Sequence, residues 1–402
     1  MAETVDVRVL TTAATPVLAG PAGGGGREVF GPREVFRQLA RSWCGVPEDE
    51  VIAVVDPHWP LDGFEAALRR YAAARPAVPT LVTFSSGTTG RPRGICRSLL
   101  SWDRSLAAFD LVTGLRGLGD GSSWIPGPLS GSMSLFAAYH AIRSGRPVTL
   151  RGEDPADAVV VHCVPAALPG IVTQVRDGRL PRLRTAVVAG DRLPRPWWRS
   201  ALEAGLRVVE YYGSAELSFC AVRVEPQAPM RPFPGVQLRI RDGELWSRSS
   251  LHADGYLEPG LPGPLRRGGD GWATVGDRAR WVEPPDWRPP DVVGGGLEVL
   301  GRGEDAVTVG GHTVAAGEVE DVLRAMTGVV DAAVVGLPHR LLGQQVSALV
   351  VTDRTLPELR REARTLLPRP AWPRRWTLAE AVPRTGTGKV DRDAVAAALK
   401  QR

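Results

Sequence analysis

Lysine is nearly absent from this chain of 402 residues: of 49 basic residues only Lys389 and Lys400 are lysine, and every other is arginine. A chain that uses arginine almost everywhere points, with a lysine, to a place that needs a compact charge on a flexible stem. Lys400 lies near the end of the sequence, where much is tolerated. Lys389 stands in Pro383-Arg384-Thr385-Gly386-Thr387-Gly388-Lys389-Val390-Asp391-Arg392, the most loop-like stretch of the C-terminal region. Cysteine is scarce too. The four cysteines, Cys44, Cys96, Cys163 and Cys220, form no CxxC pair, which argues against a disulfide framework or a zinc site. No run of eighteen apolar residues occurs, so no membrane span is expected. The first thirty residues lack the basic-then-apolar layout of a secretory signal, so the expected compartment is the cytoplasm.

What is present fits a globular protein with ample core, at 43% hydrophobic and 23% charged residues. The net charge of +5 comes from arginines interleaved with acids along the chain, so a nucleic-acid partner is not implied. The densest basic stretch runs from Arg354 to Arg384, against Glu358, Glu362 and Glu380. It reads either as a solvated face or as a site for an anionic partner, such as a nucleotide phosphate or an acidic protein.

The opening thirty residues are rich in Ala, Gly, Pro and Thr and predict a mobile or peripheral N-terminus. From about 35 to 215, strand-like runs such as 81–84, 158–161, 185–188 and 207–210 alternate with helical patterns. That alternation predicts α/β structure with mainly parallel sheets. Residues 236–283 change to short alternating strands with turn signals at Arg241-Asp242-Gly243 and Asp254-Gly255, which predict a small antiparallel or barrel-like unit. Residues 284–296 read as a Pro/Gly-rich surface loop. A last α+β unit follows from about 302: strand 306–315, helix 317–326, strands 330–336 and 346–352, helix 355–367 and a closing helix from about 391. The expected division is therefore a large α/β body over 1–301 and a small C-terminal domain over 302–402.

The strongest local motif is Thr83-Phe84-Ser85-Ser86-Gly87-Thr88-Thr89-Gly90-Arg91-Pro92-Arg93-Gly94, directly after an apolar strand. Glycines let backbone N–H groups approach an anion, and hydroxyls add donors or a metal contact. The Gly-Lys-Ser/Thr ending of a Walker A loop is missing, which disfavours a P-loop phosphotransferase. Taken alone, such a loop is either an anion cradle or only a turn. Tyr211-Tyr212-Gly213-Ser214-Ala215-Glu216 ends another strand-like run. It offers a ring to stack on a base and a carboxylate for Mg²⁺, or else a buried Tyr pair with a surface Glu.

Three further signals, Gly276-Asp277, Gly301-Arg302-Gly303-Glu304-Asp305 and the Lys389 loop, follow in that order. Together with Gly310-Gly311-His312-Thr313-Val314, Glu318-Val319-Glu320 and Asp331 to Pro338, the series resembles the adenylate-forming (ANL) superfamily over roughly 80–402. That superfamily includes acyl-CoA synthetases, peptide-synthetase adenylation domains and luciferases. The compact front is similar to that of the short o-succinylbenzoate-CoA ligases.

The resemblance implies an enzyme that activates a carboxylic acid with ATP and passes the acyl group to a phosphopantetheine thiol. The acid would be small or aromatic. The acceptor would be coenzyme A or an acidic acyl carrier protein. By position, Ser85, Ser86, Gly87, Thr88, Thr89, Gly90 and Arg93 would wrap the ATP phosphates. Tyr212 would stack on adenine, within a nucleotide site that includes Gly190, Asp191, Tyr211, Gly213 and Ser214. Asp277 and Arg302 would hold the ribose. Glu216, with Thr88, would hold Mg²⁺. Ser130, Gly131, His162, Cys163 and Gly190 would form the acyl pocket, and Lys389 would bridge the substrate carboxylate and the α-phosphate. Glu304 occupies the hinge about which the C-terminal domain would swing.

The sequence departs from the superfamily's pattern at Ala215, where a hydroxyl residue usually stands, at Val275 before Gly276-Asp277, and at Ser130-Gly131-Ser132, where a gating His or aromatic is usual. Ala215 and Val275, with Arg93 where most members have lysine, motivate a second reading, a nucleotide-binding protein with weakened turnover.

Overall fold

The computed structural model describes residues 7–12, 29–30, 32–44, 51–55, 64–74, 80–85, 93–258, 263–283, 296–301, 306–310, 312–385 and 388–401. Most of the phosphate-loop motif (86–92), the Pro/Gly-rich segment 284–295 and the segment 302–305 lie outside them, and with them Arg302 and Glu304. The described helices are α1 (Pro32–Cys44), α2 (Phe64–Ala74), α3 (Leu99–Thr113), α4 (Ser132–Ser144), α5 (Leu168–Arg176), α6 (Arg195–Glu203), α7 (Ala316–Ala325), α8 (Leu356–Leu366) and α9 (Arg392–Lys400).

Four sheets organise the described residues. In the first, strands Val29–Phe30, Val7–Thr12, Val51–Val55 and Thr80–Ser85 run parallel, and Arg93–Ser98 and Gly255–Tyr256 continue it antiparallel. Val7–Thr12 thus corrects the peripheral reading of the N-terminus, since it sits inside a sheet between two neighbours. The second sheet is parallel from Val148–Leu150 through Ser122–Ile125, Ala158–Cys163, Thr185–Val188 and Arg207–Ser214, then antiparallel through Ser218–Arg223 and Arg231–Pro232. Runs such as Val51–Val55 and Ala158–Cys163 are buried at every position, the mark of strands covered on both faces. An apolar cluster joins both sheets through α1, α3 and α4. Within it Phe136 meets Trp102 edge-on at 5.3 Å and Phe109 at 5.0 Å, geometry favoured by the ring quadrupoles.

The third sheet is antiparallel, built from Gln237–Arg241, Glu244–Arg248, Arg266–Arg267, Trp272–Thr274, Arg278–Glu283 and Gly296–Gly301. Asp242 and Gly243 both take positive φ, 54° and 75°, as a two-residue hairpin turn between right-twisted strands requires. The Asp254-Gly255 turn belongs elsewhere. Asp254 N–H donates to the Cys96 carbonyl at 2.7 Å and Leu257 N–H to that of Gly94 at 2.8 Å, so this segment edges the first sheet.

The last sheet contains Ala306–Val309, His312–Ala315, Val329–His339, Gly343–Thr352 and Arg375–Leu378. Strand alternation decides its two faces. Ala332 and Val334 pack with α7 and α8, whereas Ala333, Val335 and Leu337 pack with α9. The region expected as strand 306–315 is a hairpin, turning at Gly310 with φ 55°.

Candidate active site

A cavity of about 1220 Å³ lies where the ends of the first two sheets, the third sheet and the C-terminal unit converge. Its lining includes Arg93, Gly131, Cys163, Gly190, Asp191, Tyr211, Tyr212, Gly213, Ser214, Glu216, Asp277 and Lys389, residues spread over nearly 300 positions of sequence. The 211–216 motif is aimed into it by an irregularity: the register between Arg207–Ser214 and Ser218–Arg223 shifts between Tyr212 and Gly213. A Cβ on Gly213 would lie 2.0 Å from the Ser218 carbonyl oxygen, so only glycine allows the strands this close. Such bulges re-aim side chains beside sites.

The Tyr212 hydroxyl donates to Asp277 Oδ2 at 2.6 Å, joining two motifs that the sequence shows only as separate signals. Glu216 is 3% exposed. Its Oε1 accepts from the Tyr256 hydroxyl at 3.1 Å, and Ala253 N–H donates to its backbone carbonyl at 2.8 Å. Behind it, Arg97 is buried and donates to the Ala215 carbonyl at 2.7 Å. Burial lowers the Arg97 guanidinium to about 10, opposed by Asp254 and Glu216. Sequence reading passed over both Arg97 and Tyr256. The arginine in the otherwise buried run Gly94-Ile95-Cys96-Arg97 was the available signal, because a charge in a buried strand needs a partner.

Gly190 takes φ +96° at the end of strand Thr185–Val188, a conformation side chains rarely adopt. Asp191 Oδ1 accepts from Arg192 N–H at 2.8 Å, and its Oδ2 accepts from Val390 N–H at 3.4 Å. The Lys389 segment is tied back on itself. Thr385 N–H donates to the Lys389 carbonyl and Gly388 N–H to the Thr385 carbonyl, each at 2.8 Å. Arg384 donates to the Gly388 carbonyl at 3.2 Å and to Asp331 Oδ2 at 2.6 Å. Gly388 (φ +85°) abuts Val164, whose Cγ2 would meet a Cβ there at 2.8 Å. Lys389 itself is exposed at the cavity wall.

Two expected pocket residues do not line the cavity. His162 is buried in the second sheet and stacks on Phe109 at 6.0 Å; burial, with His140 next in effect, pushes it down to about 3. Alternation along Ala158–Cys163 explains this: Cys163, one residue on, reaches the cavity wall. Burial raises the Cys163 thiol to about 12, so it contributes packing rather than a thiolate. Ser130 is buried just before α4, while Gly131 to Ser134 line the wall. Glu210 and Arg223 also line it and escaped sequence reading. Arg223 Nε donates to Glu210 Oε2 at 2.8 Å, and Leu193 N–H to Oε1 at 3.1 Å. Ser86, Gly87, Thr88, Thr89 and Gly90 lie outside the described residues, and Ser85 ends the strand that leads to them.

The AMP-binding enzyme profile matches residues 34–257, and the AMP-binding enzyme C-terminal domain profile matches 318–389. The chain belongs to the AMP-binding enzyme family. The chain is 31% identical over 348 residues to a probable 2-succinylbenzoate–CoA ligase of Mycobacterium tuberculosis, covering 78% of this chain and 83% of that one. An uncharacterized acyl-CoA ligase of Bacillus subtilis, YhfT, is 26% identical over 361 residues, 82% of this chain and 71% of that one. A single-residue variant of E. coli MenE with bound OSB-AMS shares the fold at a TM-score of 0.74 and 20% identity, covering all of this chain and 89% of that one. This AMP-binding enzyme is accordingly an AMP-forming ligase that uses ATP and Mg²⁺. The donor set suits that metal. Mg²⁺ takes one or two carboxylates and completes its shell with phosphates and water, and Glu216 is a buried carboxylate on the cavity wall.

Proposed function

We propose that the chain activates a small or aromatic carboxylic acid in this cavity, with Lys389 and Glu216 as its catalytic residues. A carboxylate must approach a phosphate that is also negative, and charge repulsion is the first obstacle. Mg²⁺ held by Glu216 and Thr88 would neutralise part of the phosphate charge. The Lys389 ammonium would bridge the acid and the α-phosphate, stabilising charge that grows as they join. The acid's oxygen bonds to the α-phosphorus, the bond to pyrophosphate breaks, and acyl-AMP remains. In the second half-reaction a thiol attacks the acyl carbon, loses its proton to solvent and expels AMP.

The observation that carries this reading is the convergence on one cavity wall of Glu216, the Tyr212–Asp277 pair and Lys389, from three distant parts of the chain. Tyr212, Tyr211, Gly213, Ser214, Gly190 and Asp191 would hold the base, Asp277 and Arg302 the ribose, and Ser85 to Gly90 with Arg93 the phosphates. Gly131, Cys163 and Gly190 would border the acyl group, beside the flat apolar surfaces of Trp124 and Phe136. The catalytic unit would divide at 301/302, with Glu304 as hinge; the third sheet ends at Gly301 and the last begins at Ala306. The acceptor would be coenzyme A or the phosphopantetheine of an acidic carrier protein, the α8 arginines favouring an anionic partner. Three free, buried cysteines among the described residues suit the reducing cytoplasm. A pyrophosphate-release assay over a panel of acids tests the reading: acid-dependent release supports it, and ATP binding without release by any acid contradicts it.

A further inference from the structure

The dipeptide Asp191-Arg192 touches the C-terminal unit at two independent points. Asp191 Oδ2 accepts the backbone N–H of Val390, next to Lys389. Arg192 Nη2 lies 2.8 Å from Asp321 Oδ2 on α7, with side chains 31% and 16% exposed. The start of α7 lies directly on Arg192. A Cβ on Gly317 would meet Arg192 Nη1 at 3.1 Å and Cδ at 3.2 Å, so the approach leaves little room for a larger residue. The same face carries two more cross-contacts: Arg280, which pairs with Glu298 at 2.6 Å within the third sheet, also reaches Glu318 of α7 at 2.8 Å. The Arg324 guanidinium lies 5.5 Å from the Trp197 ring on α6.

The Arg192–Asp321 pair is partly buried and so less screened than the exposed Arg280–Glu318 pair, and it fixes α7 against the segment beside Gly190. We propose that Arg192 is a positioning residue: with Asp321 it clamps the C-terminal unit so that Lys389 lies over the cavity, favouring acid activation over thiol transfer. The proposal rests on the function argued above for Lys389, but its structural half can be tested without any substrate.

Charge reversal separates the alternatives. Fluorescent labels at Leu111→Cys on α3 and Leu366→Cys on α8, both exposed in the native chain, with Cys44 replaced by Ser, report the placement of the C-terminal unit by energy transfer. The wild type is expected to show mainly one population. Asp321→Arg, and separately Arg192→Glu, should shift molecules to a second one, and the combined swap should restore the first, because the pair re-forms with exchanged signs. Pyrophosphate release should fall about tenfold in each single variant and recover in the swap, while thioester formation from supplied acyl-adenylate is maintained. Asp321→Asn provides a milder variant should either reversal fail to fold. Unchanged energy transfer in the single variants, or equal loss of both half-reactions without recovery in the swap, overturns the clamp. The expected energy-transfer shifts with no pyrophosphate release from any acid leave the clamp standing and overturn the proposed function instead.

Discussion

At Gly213 the site depends on an atom that is not there. The 2.0 Å separation between a Cβ and the Ser218 carbonyl oxygen involves backbone on both sides, which cannot yield without disturbing the Gly213–Phe219 pairing. Gly213→Ala should therefore cost about 3 kcal/mol, the upper range for overpacking, measured as a drop in urea midpoint; a change under half that size would mean the bulge relaxes. Glu216 and Tyr212 carry different expectations. Glu216→Gln should weaken binding of ATP with Mg²⁺, read by calorimetry, far more than binding of ATP alone, because an amide is a poor ligand for a hard cation. Equal effects would remove Glu216 from the metal site. Tyr212→Phe deletes the donor to Asp277 and should raise KM for ATP several-fold with little change in kcat. An unchanged KM would show that the ring alone suffices.

Among the elements, α8 combines a buried side, Leu359 and Ala363, with exposed Arg360, Arg361 and Arg364. Thr355 caps its start, with its N–H and hydroxyl both donating to Glu358, at 3.0 and 2.8 Å, so the helix is anchored independently of its arginines. Part of the basic stretch is internally paired: Arg354 lies 2.7 Å from Glu362 and Arg384 is 2.6 Å from Asp331. Reversing Arg360, Arg361 and Arg364 to Glu should slow thioester transfer, steeply salt-dependent for an acidic carrier protein, while pyrophosphate release persists. No effect on either acceptor would return α8 to a solvated face. The helices of the C-terminal unit were legible to within a residue or two because their apolar spacing is local. Arg375–Leu378 was not, since a four-residue edge strand flanked by Pro373 and two arginines carries no alternation to read. Val7–Thr12 was hidden for another reason: its strand pattern is embedded in an Ala/Gly/Pro-rich context that signals coil.

At the scale of the whole molecule, buried histidines link stability to pH. His162 is held neutral down to about 3 and His252 down to about 4, both chiefly by burial. The unfolded chain binds these protons near pH 6.5 while the folded chain does not, so stability is lost as pH falls from about 6.5 toward those values, by up to ~1.4 kcal/mol per pH unit per group. Urea midpoints between pH 7 and pH 4 should fall less for His162→Leu than for the wild type; parallel slopes would contradict this. The site's local motifs were legible because a loop or a strand end is specified by neighbouring residues. The Tyr212–Asp277, Arg97–Ala215 and Arg192–Asp321 contacts were not, because each needs the fold to bring distant segments together, and His162 was misplaced for want of the strand's facing. The proposed role of Lys389 in acid activation is tested most directly by comparing the two half-reactions in Lys389→Ala. Pyrophosphate release should drop by at least about 10²–10³-fold, the scale of removing a transition-state donor, with thioester formation from supplied acyl-adenylate intact; equal loss of both steps would contradict the account.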